Sequence, residues 1–264
     1  MCHTDFEDAG VSPDRYREMV ENGLIDEDCL TVNIFMPLKE PTQKRPIVLW
    51  FHGGGFSNGA HYPGFGNTDI DVIFVTVQYR LGLFGFMSTW DNDIENNVLG
   101  GNYGLLDQQE ALSFIHANAE KLGGDVNRVT IIGKIFVLLL VLQWYSGESS
   151  GGIAVGFHLL SNKSNMLINA AISQSGAPLF DFSSQQSDHA NDAIVTLCET
   201  VNNLGNDCKP GKSKTETVDS LRLQNAVDLQ LVSRSMCYSN DSYPNYPIWA
   251  PVKHDGVFFY QVPG

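Results

Sequence analysis

Two stretches of this chain, residues 46–51 and 72–79, are almost continuously apolar or β-branched. A run of that kind suits a strand buried on both faces, and such strands belong to parallel sheets joined by helical crossovers. The rest of the chain supplies what that arrangement needs. Leu30, Val32, Ile34 and Met36 alternate with Thr31, Asn33 and Phe35, the period of a half-buried strand. Between 104 and 122, Leu105, Leu112, Ile115, Ala119 and Leu122 share one helical face, which Gly123-Gly124 ends. Residues 129–132 read as another short strand and 170–174 as a further one, with helical patterns at 150–160, 188–204 and 216–232. Strand–helix alternation of this sort predicts an α/β fold: a mostly parallel central sheet with helices on both faces.

With 264 residues there is room for one large domain or two small ones. The formal net charge of −14 repels polyanions, which excludes a nucleic-acid partner. The longest apolar run, residues 135–142, is far shorter than the ~20 residues of a bilayer span, so no transmembrane segment is expected. No Cys-x-x-Cys pair or Cys/His cluster calls for a metal, and no cofactor motif occurs.

The pattern Gly-x-Ser-x-Gly occurs twice, centred on Ser57 and on Ser149. A nucleophile elbow needs a strand entering and a helix leaving, because that sharp turn lifts the serine Oγ above the sheet. Ser57 is followed by His61-Tyr62-Pro63-Gly64, which cannot open a helix, and reads as a loop serine. Ser149 is followed by Gly151-Gly152-Ile153-Ala154-Val155, small and then apolar, which suits a helix packed close on a sheet. A second constellation, His52-Gly53-Gly54-Gly55-Phe56, follows the strand that ends at Phe51. Its glycines leave backbone N–H groups unobstructed. Those of Gly54 and Gly55, with that of Ser150, are the candidate oxyanion hole for a tetrahedral intermediate.

Taken with Glu27-Asp28-Cys29-Leu30, Tyr79-Arg80-Leu81-Gly82, Gly101-Asn102-Tyr103-Gly104, Gly123-Gly124-Asp125, Glu148-Ser149-Ser150-Gly151-Gly152 and Gln174-Ser175-Gly176, in that order, the chain resembles the type-B carboxylesterase and cholinesterase family of α/β-hydrolases. The resemblance runs over essentially the whole chain. It implies hydrolysis of a small-molecule carboxylic ester through a Ser-Glu-His triad, with Ser149 as nucleophile, Gly54, Gly55 and Ser150 as oxyanion hole, and no cofactor or metal. The chain is then expected to be the N-terminal portion of a single carboxylesterase domain, incomplete at the C-terminus. Members place the triad acid and histidine in a later half that would follow Gly264. Of the histidines present, His254 falls in a segment not catalytic in members, His158 reads as a core residue of the helix after the elbow, and His52 belongs to the glycine loop. The 264 residues alone are therefore expected to be inactive, with the faces of 47–51 and 72–79 partly exposed.

One segment departs from the family. Its members run from strand to elbow without a break, so Ile132-Gly133 should continue as Glu148-Ser149. Here residues 134–147 intervene. Gly133-Lys134 can be encoded GGT-AAG and Tyr145-Ser146-Gly147 as TAT-TCA-GGN, a splice donor and acceptor in one phase, so the insertion is expected to be a retained intron.

Five cysteines leave at least one without a partner in the chain. By resemblance, Cys2 and Cys29 close the first disulfide loop and Cys198 and Cys208 the second, which with the sequons at Asn162 and Asn240 implies the secretory pathway, although no signal peptide is visible. Met19 stands where cholinesterases carry the tryptophan that binds a quaternary ammonium, which points to a neutral ester. The alternatives are a non-catalytic, cholinesterase-like adhesion protein and a truncated gene product without function.

Overall fold

The computed structural model describes residues 12–23, 25–61, 70–89, 100–134, 150–179, 187–203, 208, 211, 213–239, 249–252 and 258. In chain order the elements are α1 (Pro13–Glu21), β1 (Val32–Phe35), β2 (Arg45–His52), β3 (Ile73–Val77), α2 (Gly82–Phe86), α3 (Tyr103–Asn118), β4 (Gly124–Lys134), α4 (Ser150–Leu160), α5 (Asn162–Asn165), β5 (Ala170–Ser173), α6 (Ser187–Asn203), α7 (Lys214–Arg222) and α8 (Ala226–Ser239). The sheet order is β1-β3-β2-β4-β5. Only β1 is antiparallel to its neighbour. The two apolar runs are thus interior strands, as their lack of alternation requires.

Helices α3 and α4 lie on the sheet face carrying Ile47, Leu49, Phe51, Ile73, Val75 and Val77, and bury it with Leu112, Ile115 and Val155. Their outer sides, through Leu105, Ile153 and Phe157, join a second core made with α2, α6, α7 and α8. Helix α3 ends at Asn118, and the chain turns through Gly123 at φ +73°, a left-handed position that glycine adopts without strain. Gly124 then opens β4, and a Cβ there would press on Ile47 at 2.6 Å.

Two expectations need correction. The side chains of Ile47, Leu49, Phe51, Ile73, Val75 and Val77 are fully covered rather than partly exposed, because α3 and α4 are sufficient to close their face. On the opposite face Val48, Phe74 and Ile132 are half-buried, as partial exposure requires, while Trp50 and Thr76 are buried. Exposed apolar side chains include Ile172 on β5, Leu179 beyond it, and Leu159 and Leu160 at the end of α4. Finally, the helical pattern at 216–232 is two helices. Asn225 accepts hydrogen bonds from the N–H groups of Val227 and Asp228, and this N-cap starts α8 afresh after α7 has ended at Arg222.

Candidate functional site

Parallel strands that end together place their following loops side by side, and β2 and β4 stay in register to the last pair, His52 with Lys134. The glycine loop after β2 and the strand end of the elbow therefore share one rim of the sheet, where open α/β sheets bind ligands. Ser149 and Glu148, with the segment before them, lie outside the described residues. Both flanks of Ser149's turn are described. A Cβ at Gly133, near the end of β4, would come within 1.9 Å of the Gly151 carbonyl oxygen and 2.7 Å of the Gly152 nitrogen in α4. One at Gly151 would come within 2.5 Å of the Phe51 carbonyl oxygen and 2.9 Å of that of His52. One at Gly152 would meet the Gln174 carbonyl oxygen at 2.8 Å. The first turn of α4 thus sits directly on the ends of β2, β4 and β5. Strand end and helix start are in backbone contact, although residues 134–147 stand between them in sequence.

Ser150 begins α4 and is buried, its hydroxyl beside that of Tyr79. In the glycine loop Gly54 has φ +125° and Gly55 φ +61°. A side chain at Gly54 would strike the Asn58 carbonyl oxygen at 2.0 Å. That oxygen is close because the Gly54 carbonyl accepts from the N–H groups of Ser57 and Asn58, curling the loop into a tight turn. Among the described residues the N–H groups of Gly54, Gly55 and Ser150 donate to nothing. They are available to an anion at this rim. Ser57 lies within that turn, its Oγ donating to the Gly55 carbonyl at 3.2 Å, a loop serine as its sequence context indicates.

The described histidines take other places. His158 is enclosed, its ring stacked on Phe51 and met edge-on by Phe258. Its Nε2–H donates to Gln108 Oε1 at 2.9 Å, while Ser164 Oγ, itself receiving a bond from Gln109, donates to Nδ1 at 2.9 Å. Burial pushes its pKa down to about 3, so it is a neutral structural joint between α3, α4 and α5. His52 is also buried, stacked on Tyr79 with ring centroids 4.3 Å apart, and burial lowers its pKa to about 4. The Tyr79 hydroxyl donates to the His52 carbonyl at 2.6 Å, and burial raises the Tyr79 pKa. None of histidines 52, 61, 116 and 158 bonds a carboxylate among the described residues, and His254 lies outside them. No group of three His, Cys, Asp or Glu among the described residues could hold a metal ion.

Two supports were not singled out from sequence. Asp107 on α3 accepts from the Arg80 backbone N–H and grips its guanidinium through both carboxylate oxygens, fixing the chain just before α2. Buried Asn102, at φ 57°, exchanges two 2.8 Å hydrogen bonds with the Val252 backbone. Both residues stand in the quoted motifs, but motif order carries no pairing. Cys198 and Cys208 form a disulfide with Cα atoms 5.4 Å apart. Cys29 is a half-buried thiol, whose pKa burial raises, and Cys2 lies outside the described residues.

No described helix is long and apolar enough to cross a membrane. The profile of the carboxylesterase family matches residues 3–264. Juvenile hormone esterase of Tribolium castaneum is 42% identical over 162 residues, 58% of this chain and 24% of that protein. Neuroligin-like protein glit-1 of Caenorhabditis elegans is 36% identical over 65% of this chain and 21% of its own length. The medium-chain fatty acyl-CoA hydrolase precursor of Anas platyrhynchos is 31% identical over 90% of this chain and 37% of its own length. The chain thus spans well under half the length of these relatives. It carries the mixed, mostly parallel sheet and flanking helices of an α/β-hydrolase, and it belongs to the carboxylesterase family.

Proposed function

We propose that the whole protein hydrolyses small, neutral carboxylic esters with Ser149 as its nucleophile. What supports this reading is that the N–H groups of Gly54, Gly55 and Ser150 donate to nothing among the described residues, and that the strand and helix flanking Ser149 are in contact at Gly133 and Gly151. Ser149 Oγ attacks the ester carbonyl and loses its proton to the triad histidine that the family implies, and the oxyanion takes hydrogen bonds from those donors. The alcohol leaves with that proton, and water then releases the acid and frees the serine. A fluorophosphonate should label Ser149, and Ser149→Ala should lower kcat for a simple aryl ester by about 10⁶. Full turnover by that variant would refute the assignment.

Residues 134–147 belong to this proposal as an intron retained in the coding sequence. The contact between Gly133 and Gly151 supports it, since it already brings the strand end and the helix start together. Sequencing mature transcripts across codons 133–148 tests it, and a message that keeps the 42 nucleotides would end it. The Cys198–Cys208 disulfide supports a secretory location, in which Cys2 and Cys29 would close the first loop. The neuroligin-like relative supports a second reading, a protein that binds a partner without catalysis; an unreactive Ser149 in the whole protein would favour it.

A further inference from the structure

The contact between His52 and its own loop goes unused in the mechanism above. His52 Nδ1 lies 2.9 Å from the carbonyl oxygen of Gly53. A carbonyl only accepts, so the ring proton is on Nδ1 and Nε2 carries the lone pair; that nitrogen is buried and has no partner among the described residues. The ring is closely packed. Tyr79 stacks on it with the planes 18° apart. Gly59, at φ +121°, adjoins it: a Cβ there would fall 2.3 Å from His52 Nδ1 and 2.5 Å from the Gly53 oxygen. The absence of a side chain at 59 thus makes the space in which ring and carbonyl meet.

The consequence follows from peptide geometry. In a planar trans peptide the carbonyl of one residue and the N–H of the next point in opposite directions. Pulling the Gly53 carbonyl onto the imidazole therefore turns the Gly54 N–H away from the ring. Glycine at 54 lets this peptide rotate at little cost, so without the imidazole nothing local would hold it. We propose that His52 is a positioning residue whose Nδ1–H anchors the Gly53–Gly54 peptide, so that the Gly54 N–H faces the oxyanion. The assignment rests on the esterase reading for its purpose and on the contact itself for its geometry.

Nitrogen-15 spectra of the full chain read the geometry without any activity. The His52 ring should show the neutral Nδ1–H tautomer at neutral pH. The Gly54 amide resonance should move in His52→Leu and Gly59→Ala and stay near its native position in His52→Asn, whose Nδ2 replaces Nδ1. The purpose is read in the rate at which a fluorophosphonate labels Ser149, because its phosphoryl oxygen occupies the oxyanion position. His52→Leu should slow that labelling by about ten- to a hundredfold, a share of the 10²–10³ that one lost oxyanion donor costs. His52→Asn should restore it to within a few-fold. An Nε2–H tautomer, a Gly54 amide indifferent to both disruptive variants, or an Asn variant as slow as Leu would overturn the proposal. A native chain that is not labelled, while its Gly54 amide still follows residue 52, would sink the esterase reading and leave the anchoring intact.

Discussion

His52 and His158 invite comparison, because the same chemistry is put to two uses about one strand. Both rings are buried and neutral, and both stack on an aromatic ring. Around His158 both ring nitrogens are bonded and so is the serine hydroxyl beside it, leaving Gln108 Nε2 as the sole unpartnered buried atom of that joint among the described residues. Around His52 one ring nitrogen is bonded, the other has no partner among the described residues, and three glycines of the adjoining loop have positive φ. Buried polar groups are normally satisfied, and the ones that are not mark strain or function. A closed network holds helices together; an open one, with donors left over, is where an anion can be received.

Acidification should expose the first consequence, and it is the largest. Each histidine has a folded-state pKa below the ordinary 6.5, about 4 for His52 and about 3 for His158, because burial disfavours the charged ring. The unfolded chain therefore binds more protons between those values and 6.5, and stability falls as pH falls through that window. The slope is about 1.4 kcal/mol per pH unit for each group, so about twice that between pH 6 and 4.5. Urea unfolding at stepped pH measures it. A flat stability over that range would mean that neither ring is buried as described.

Next in size is the contrast between substitutions. His158→Leu keeps the volume but strands Gln108 Oε1 and the Ser164 hydroxyl, and at about 1–3 kcal/mol for each unsatisfied buried group it should cost about 2–6 kcal/mol. His52→Leu strands the Gly53 carbonyl alone, so the same urea titration should give it roughly half that loss. A larger loss at His52 would make it the structural joint of the two. The smallest effect should come from Ser57→Ala, which removes one exchangeable loop hydrogen bond. Stability should change by about 0.5 kcal/mol or less, with fluorophosphonate labelling unaltered. Lost labelling would mean that the first Gly-x-Ser-x-Gly, not the second, holds the nucleophile.

Much of this could be read along the chain. The unbroken apolar runs gave β2 and β3 their interior places, since a strand apolar on both sides has nowhere else to go. The small residues after Ser149 announced a helix in backbone contact with its strand, and Gly151 and Gly152 make that contact. The division of 216–232 was missed because its apolar period continues across the break, although Asn225 just before Ala226 is a recognisable cap. The expected partial exposure of 47–51 and 72–79 holds at Val48 and Phe74 and fails on the other face, because α3 and α4 cover it.

By itself the sequence determined where strands and helices form and that a glycine loop follows β2, because those depend on side-chain period and backbone freedom within a few residues. Only the tertiary structure decided which glycine touches which backbone, that Tyr79 clamps a ring 27 residues away, and that the carbonyl of Gly53 is turned toward His52. Those contacts are fixed by crossovers that bring distant strand ends to a common rim, and no local pattern of residues encodes the distance across it.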